Sequence, residues 1–334
     1  MDQEKQTPLL SVRNLKKYFP LKVSWLKAFA KERPYVRAVD DLSFEIKYGE
    51  TLGLVGESGS GKTTVGRTLI RLESPTDGHI LFEDVDLAKI SGESLRVKRQ
   101  HFQMIFQDPM ASLNPYMRVG NAIGHPLKIH HIGNKSERKM HVYEILNKVG
   151  LPPEEFYNRF PRHLSGGQRQ RVVIARAVIT NPKFVVADEV TAMLDVSIRS
   201  QILKLLIEMK NELGLTYLFI THDLASAKYI CDRIAVMYLG KIVEIAKTYD
   251  IFKEPLHPYT KILMASVPVP DPKMKTKKFI PTGEIPSPIN IPSGCRFHPR
   301  CPYAMEICSK VEPELKEVNG RLVACHLYDQ NGKN

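Results

Sequence analysis

A chain of 334 residues, 43% hydrophobic and 25% charged, has the balance of a soluble globular protein with room for one large and one small domain, and it is not mainly disordered. No run of about 18 apolar residues occurs, so no membrane-spanning helix is expected. The net charge of +12 invites an anionic partner, but no helix-turn-helix, zinc-finger or RRM-like motif accompanies it, and no nucleic-acid partner is expected.

The opening MDQEKQTPLL lacks the basic start and apolar stretch of a secretory signal, which points to a cytoplasmic chain. Apolar alternation in LLSVRNL and AVDDLSFEI predicts two strands, the second ending at the turn Tyr48-Gly49-Glu50. From Lys16 to Arg37, seven basic residues (Lys16, Lys17, Lys22, Lys27, Lys31, Arg33, Arg37) face Glu32 alone, interleaved with Phe19, Trp25 and Phe29. That run reads either as a solvated surface insertion or as a segment lying near lipid headgroups or a membrane-embedded partner. TLGLVG is a short buried strand entering a glycine-rich turn, KTTVGRTLIRL a helix and GHILFEDVDL a further strand. Residues 120–160 are helical in pattern, with breaks at Gly133 and Pro152-Pro153. QRQRVVIARAVI and SIRSQILKLLIEMKNEL are helices flanking the buried strand KFVVADEV, and TYLFITHD and RIAVMYLGKIVEI are strands around another helix. Strands alternating with helices of about 12 residues indicate a mostly parallel α/β sheet. Beyond residue 252 prolines become dense from Pro255 to Pro302, and four of the five cysteines follow. The expected organisation is a main domain over 1–252, with a helical subdomain at about 108–178, and a small proline- and cysteine-rich extension over 253–334.

Residues 56–63, G-E-S-G-S-G-K-T, fit the phosphate-binding pattern GxxxxGK[ST] between a predicted strand and a predicted helix. Gly56, Gly59 and Gly61 let the backbone turn tightly, so that the N–H groups of the stretch through Glu57, Ser58 and Ser60 face phosphate oxygens at a helix N-terminus. Lys62 is expected on the β- and γ-phosphates, Thr63 on Mg²⁺ and Thr64 as a second phosphate donor. FVVADE delivers Asp188 to a strand end, where its carboxylate suits magnesium, and Glu189 follows as a base or water-orienting group. His222 ends another buried strand and is placed to meet the γ-phosphate.

The segment L-S-G-G-Q, Leu164, Ser165, Gly166, Gly167 and Gln168, makes a second phosphate-binding helix N-terminus, which one chain does not need for a single γ-phosphate. Here the chain resembles the ABC (ATP-binding cassette) ATPases over roughly residues 9–250. The resemblance implies an α/β P-loop cassette that hydrolyses ATP as a head-to-tail dimer. It also implies Phe19, with Tyr18 as its neighbour, stacking on adenine, Gln107 touching Mg²⁺ and water, and Asp195 on the loop that crosses the dimer interface. Val190, Ala192 and Met193 depart from the usual D-E-P-T-S-A-L-D run. F-Q-D-P-M-A-S-L-N-P, P-L-H-P-Y-T-K, G-E-I-P-S-P and G-C-R-F-H-P-R-C-P narrow the resemblance to the ATPase subunits of dipeptide/oligopeptide importers. That family implies a peripheral subunit on the cytoplasmic face of the cell membrane. Its expected partners are a paralogous ATPase or a second copy, two transmembrane permease subunits and an extracytoplasmic solute-binding protein. Chromosome-type ABC ATPases, which part the P-loop from the signature by long coiled coils, do not fit the short gap here. A non-catalytic binding module conflicts with an intact Lys62, Asp188, Glu189 and His222.

Cys231 stands apart and reads as a small buried apolar residue. Cys295, Cys301, Cys308 and Cys325 fall within 31 residues and, as reduced thiols, point to a metal site rather than disulfides. Their wide spacing lacks the close pairs of structural zinc and suits a [4Fe–4S] cluster. The cysteine-rich tail of the importer family implies the same cluster. Zn²⁺ is the alternative, with His298 or His326 completing a mixed site.

Overall fold

A computed structural model describes residues 8–21, 35–265 and 286–329. In chain order the elements begin β1 (Pro8–Pro20), β2 (Tyr35–Lys47), β3 (Thr51–Val55), α1 (Lys62–Leu69), β4 (Asp77–Phe82) and β5 (Val85–Asp86). There follow α2 (Gly92–Lys98), β6 (Phe102–Ile105), α3 (Pro109–Ser112), α4 (Val119–Ile129), α5 (Lys135–Lys148), α6 (Pro153–Phe156), α7 (Gly166–Val178), β7 (Phe184–Asp188), α8 (Val196–Leu213) and β8 (Thr216–Thr221). The remainder is α9 (Leu224–Ile230), β9 (Arg233–Tyr238), β10 (Lys241–Lys247), α10 (Thr248–Lys253), α11 (Pro258–Ala265), β11 (Lys316–Val318) and β12 (Arg321–Val323). Of the basic run, Lys22, Trp25, Lys27, Phe29, Lys31, Glu32 and Arg33 lie outside the described residues, as do the lysines between Lys273 and Lys278.

The chain divides into two compact units, one of Met1–Leu9, Ile46–Thr51 and Lys89–Ile220, the other of Leu10–Glu45, Leu52–Ala88 and Thr221–Asn334. In the first, β6, β7 and β8 pair in parallel, with Phe102 opposite Phe184 and Asp188 opposite Ile220. Every residue of β7 and β8 is buried, which is why these strands read as continuous apolar runs rather than alternating ones. Helix α5 starts at a capping box in which Asn134 and Glu137 each take the other's backbone N–H, and α7 starts the same way from Ser165 and Gln168.

The second unit departs from a mostly parallel expectation. It holds a four-stranded sheet in the order β2-β1-β4-β5, whose β1–β4 and β4–β5 pairs are antiparallel. Beside this, β3 pairs in parallel with β9, and β10, β12 and β11 add antiparallel strands. The tail, expected as a small extension, thus adds two strands to this unit: on β12 Val323 pairs with Glu244 and Leu322 with Ile245. It buries Arg296, Phe297, Arg300, Cys308 and Val323 within the same unit as the P-loop. Cys231 is buried as expected, its Sγ lying where a Cβ on Gly53 would stand 2.7 Å away.

The turn P-L-H-P-Y is pinned from beneath. Glu244, fully buried in β10, accepts the N–H groups of Leu256 and His257 at 2.9 Å each. The His257 ring accepts the Tyr259 N–H at 3.0 Å and is neutral, because burial pushes its pKa down to about 3 from an ordinary 6.5. The unfolded chain therefore takes up a proton at His257 near pH 6.5, and the folded chain does so only near pH 3. Within that window stability falls as the pH falls, by up to about 1.4 kcal/mol per pH unit. Urea unfolding between pH 7 and pH 5 should show the parent losing more stability than His257→Gln, and equal losses would refute the assignment.

Candidate functional site

The P-loop lies in the second unit, between β3 and α1. Gly56 and Gly61 have φ of 156° and 104°, and a Cβ at either would stand 2.2 Å from the Met237 carbonyl oxygen or 2.0 Å from that of Ala38. Only glycine fits there, for reasons of space as well as conformation. Gly59, at φ 79°, meets nothing within 4 Å and is required by conformation alone. The buried Lys62 Nζ donates to the carbonyl oxygens of Gly56 and Glu57 at 2.8 Å each and reaches the Ser60 hydroxyl at 3.4 Å. It therefore lies along the inner side of the loop that precedes it. Thr63 and Thr64 follow in the first turn of α1, and Ser58 is exposed at the loop tip.

Tyr18 and Phe19 differ in their contacts. The Tyr18 hydroxyl donates to Asp40, which also pairs with Arg296, and burial raises the Tyr18 pKa. Burial alone would raise the Asp40 pKa, but the Tyr18 hydroxyl and the Arg296 guanidinium outweigh it and hold the carboxylate below its ordinary value. The Phe19 ring has the Lys17 ammonium 4.7 Å from its centroid.

In the first unit, β7 ends at Asp188, which is 2% exposed. Glu189 follows at φ 46°, a left-handed backbone held by its N–H bond to the Ile220 carbonyl at 2.9 Å. That turn presents its Oε2 to the Gln107 Nε2 at 2.7 Å, joining two of the expected site residues 82 positions apart. The signature is preorganised by its own side chains: the Ser165 hydroxyl accepts the Gln168 N–H at 3.3 Å, and the Gln168 amide oxygen accepts the Ser165 N–H at 3.0 Å. A Cβ at Gly167 would stand 2.9 Å from Ile198 of α8, so this glycine also seats α7 against α8. Leu164 is buried before the cap, whereas Asp195 is exposed at the N-cap of α8. Val190 is buried, and Met193 is 64% exposed. His222, in the second unit, is exposed just after β8, before Asp223 caps α9.

Among the described residues no group of three or more His, Cys, Asp or Glu side chains stands close enough to hold a metal ion. In the tail, burial and backbone N–H groups act on the thiols in opposite senses. Burial pushes the Cys295 thiol up to about 11 and Cys325 up to about 12, and raises Cys301; each of the three also feels the charge of other cysteines of the set. Opposing that, backbone N–H groups reach the sulfurs: those of Phe297 and His298 at Cys295, Tyr303 at Cys301, Leu327 at Cys325, and Met305 at Cys308 at 3.4 Å. Such bonds stabilise the charged form that a metal requires. The His326 ring is engaged on both sides, its Nδ1 meeting Asp329 at 2.6 Å and its Nε2 the Val311 carbonyl at 2.9 Å.

Sequence reasoning passed over Tyr259 and Arg300, which both bind Glu57. The Glu57 N–H donates to the Tyr259 hydroxyl at 2.9 Å, and its carboxylate pairs with Arg300 at 3.0 and 3.3 Å. The motifs P-L-H-P-Y and C-R-F-H-P-R-C-P were the available signal, but nothing in them names a partner.

A helix cap of the LSGGQ type sets this chain apart from kinases, GTPases and motors that share the P-loop, and the class is that of the ABC cassettes. A family model described as ABC transporter matches residues 39–192, and one described as oligopeptide/dipeptide transporter, C-terminal region, matches residues 243–308. The chain belongs to the ATP-binding proteins of the oligopeptide/dipeptide transporter family. It is 47% identical over 332 residues to the oligopeptide transport ATP-binding protein AppF of Bacillus subtilis (strain 168), covering 98% of this chain and 100% of that one. Among solved structures it resembles the ATP-binding cassette MJ0796, a dimer in a post-hydrolysis state bound to ADP and Pi, with TM-score 0.63, 29% identity, and coverage of 72% of this chain and 98% of that one. It also resembles cbiO1 of Clostridium perfringens, part of the cbiONQ complex, with TM-score 0.63, 27% identity, and coverage of 75% and 92%.

Proposed function

We propose that this chain is the ATP-hydrolysing subunit of a peptide importer, peripheral to the cytoplasmic face of the cell membrane. It pairs head to tail with a similar ATPase subunit or a second copy of itself, and drives two transmembrane subunits fed by an extracytoplasmic binding protein. The carrying observation is 47% identity to an oligopeptide transport ATP-binding protein over a match that covers 98% of the chain, tail included. Among the described residues no helix is long and apolar enough to cross a membrane.

Glycines 56, 59 and 61 shape a cradle in which the N–H groups of Ser58, Gly59 and Gly61 to Thr64 face the phosphates, that of Glu57 being taken by Tyr259 and that of Ser60 by the Glu57 carbonyl; Lys62 neutralises the β- and γ-oxygens, and Phe19 stacks on adenine. Thr63, Gln107 and Asp188 offer the hard oxygen donors that suit Mg²⁺, which when bound offsets phosphate charge. Glu189 orients the attacking water and accepts its proton, Gln107 holds the Glu189 carboxylate in place, and His222 hydrogen-bonds the γ-phosphate. Leu164 to Gln168 and Asp195 serve the nucleotide of the facing subunit. ATP binding closes two cassettes on each other, and hydrolysis with phosphate release reopens them. The test is reconstitution with the permease subunits in proteoliposomes: peptide-loaded binding protein should stimulate ATP turnover several-fold. Stimulation by a metal- or sugar-loaded binding protein, and none by peptide, would overturn the substrate class.

Within the same reading, residues 253–334 are a regulatory, metal-binding extension in which Cys295, Cys301, Cys308 and Cys325 hold a [4Fe–4S] cluster. The backbone N–H bonds to the sulfurs support this, and the engaged ring of His326 weakens the zinc alternative. When bound, the cluster ties segments that lack a core of their own. Anaerobically purified protein should be brown with about four iron per chain, and Cys308→Ser should bleach it. Colourless parent protein carrying one zinc would refute the cluster and leave the ATPase reading intact.

A further inference from the structure

The hexapeptide that follows Cys295 carries two arginines, and both are buried within the unit that holds the P-loop. Arg296 donates to the Leu239 carbonyl and to Asp40, the carboxylate that also receives the Tyr18 hydroxyl. Arg300, the residue before Cys301, donates through Nη1 and Nη2 to the two carboxylate oxygens of Glu57 and reaches the Tyr238 hydroxyl at 3.4 Å. Its guanidinium carbon lies 5.9 Å from the ring centroids of both Tyr238 and Phe297, so the head group is packed as well as paired. From the other side Tyr259, fully buried and 4.6 Å from Tyr238 between ring centroids, takes the Glu57 backbone N–H. Glu57 is the second residue of the P-loop. Two tail-borne groups thus clamp both its main chain and its side chain, and its carbonyl oxygen is one of the two that Lys62 holds.

A paired, desolvated guanidinium in a two-point bond fixes orientation as well as position. Displacing Glu57 would move the carbonyl that seats Lys62. We propose that Arg300, together with Tyr259, is a positioning residue for the P-loop, acting through Glu57, so that the placement of the loop carrying Cys295 and Cys301 is read out as affinity for nucleotide. This rests on the reading of residues 56–64 as the nucleotide site. Arg300 touches no phosphate; it sets where Glu57, and through it Lys62, stands.

The test is titration of the full-length chain with a fluorescent mant-ATP and Mg²⁺, alongside steady-state ATP turnover. Arg300→Gln should weaken binding roughly tenfold and raise KM far more than it lowers kcat, the split expected of lost ground-state binding. Arg300→Lys should recover part of the loss, and Tyr259→Phe, which keeps the aromatic packing, should weaken binding severalfold. Glu57→Gln should mimic Arg300→Gln, and the double variant should be no worse than either single one, because both break the same bond. Cys301→Ser should shift binding in the parent but not in the Arg300→Gln background. Additive losses in the double variant, or parent-like binding by Arg300→Gln while Lys62→Ala binds poorly, would overturn the positioning role. Parent-like binding by Lys62→Ala would instead overturn the P-loop reading on which it rests.

Discussion

Glu189→Gln is expected to cut steady-state ATP turnover by about 10²- to 10⁴-fold while leaving ATP binding intact. The substitution keeps the shape of the side chain and a carbonyl oxygen for the Gln107 amide, now 2.7 Å from Glu189 Oε2, so the local geometry has no reason to collapse. What disappears is the carboxylate, the proposed proton acceptor. The left-handed backbone at φ 46° aims this side chain and is held by a main-chain bond to Ile220, which the substitution does not touch. The variant should accumulate as an ATP-bound dimer, seen by size-exclusion chromatography with ATP and Mg²⁺. Undiminished phosphate release would remove Glu189 from the mechanism.

Lys62→Ala should fail one step earlier, weakening ATP binding by about 10²-fold or more. Two losses combine. The charge-assisted bonds to the phosphates go, and so does the ammonium that joins the carbonyl oxygens of Gly56 and Glu57. Because those carbonyls belong to the loop itself, the variant should also show faster amide hydrogen exchange across residues 56–61 without nucleotide. Unchanged affinity would remove Lys62 from the phosphate site, and unchanged exchange would show that the lysine does not brace its own loop.

Phosphate chemistry is compact in sequence, which is why so much of this protein is legible there. A P-loop needs its glycines, lysine and threonine within eight positions, and the LSGGQ cap needs Ser165 and Gln168 three apart to close on each other. Both were readable as chemistry before any fold was known. The engagement of the Tyr18 hydroxyl was not readable in the same way, since its partner Asp40 lies on another strand. The strands of the tail were not legible because β11 and β12 are three residues each, too short to show a period, and form only through pairing, β12 with β10 and β11 with β12. Arg300 and Glu57 stand 243 positions apart, and no local pattern announces a salt bridge of that reach. The mixed zinc site drew on His298 and His326, and the two oxygens that engage the His326 ring lie 3 and 15 positions away.

The strands lent by the tail bear on how any shortened form of this protein would behave. With β12 in place, the outward ladder of β10 is covered, and the sheet ends instead on β11, a short strip whose Lys316 and Glu317 are exposed. Stripping away residues from 286 onward would leave β10, apolar along Ile242, Val243 and Ile245, with open hydrogen-bonding groups that invite a strand from a neighbouring molecule. Clumping of such a truncation would report a bared selvedge rather than a missing cofactor, so single substitutions at the cysteines are the cleaner way to ask what the tail carries.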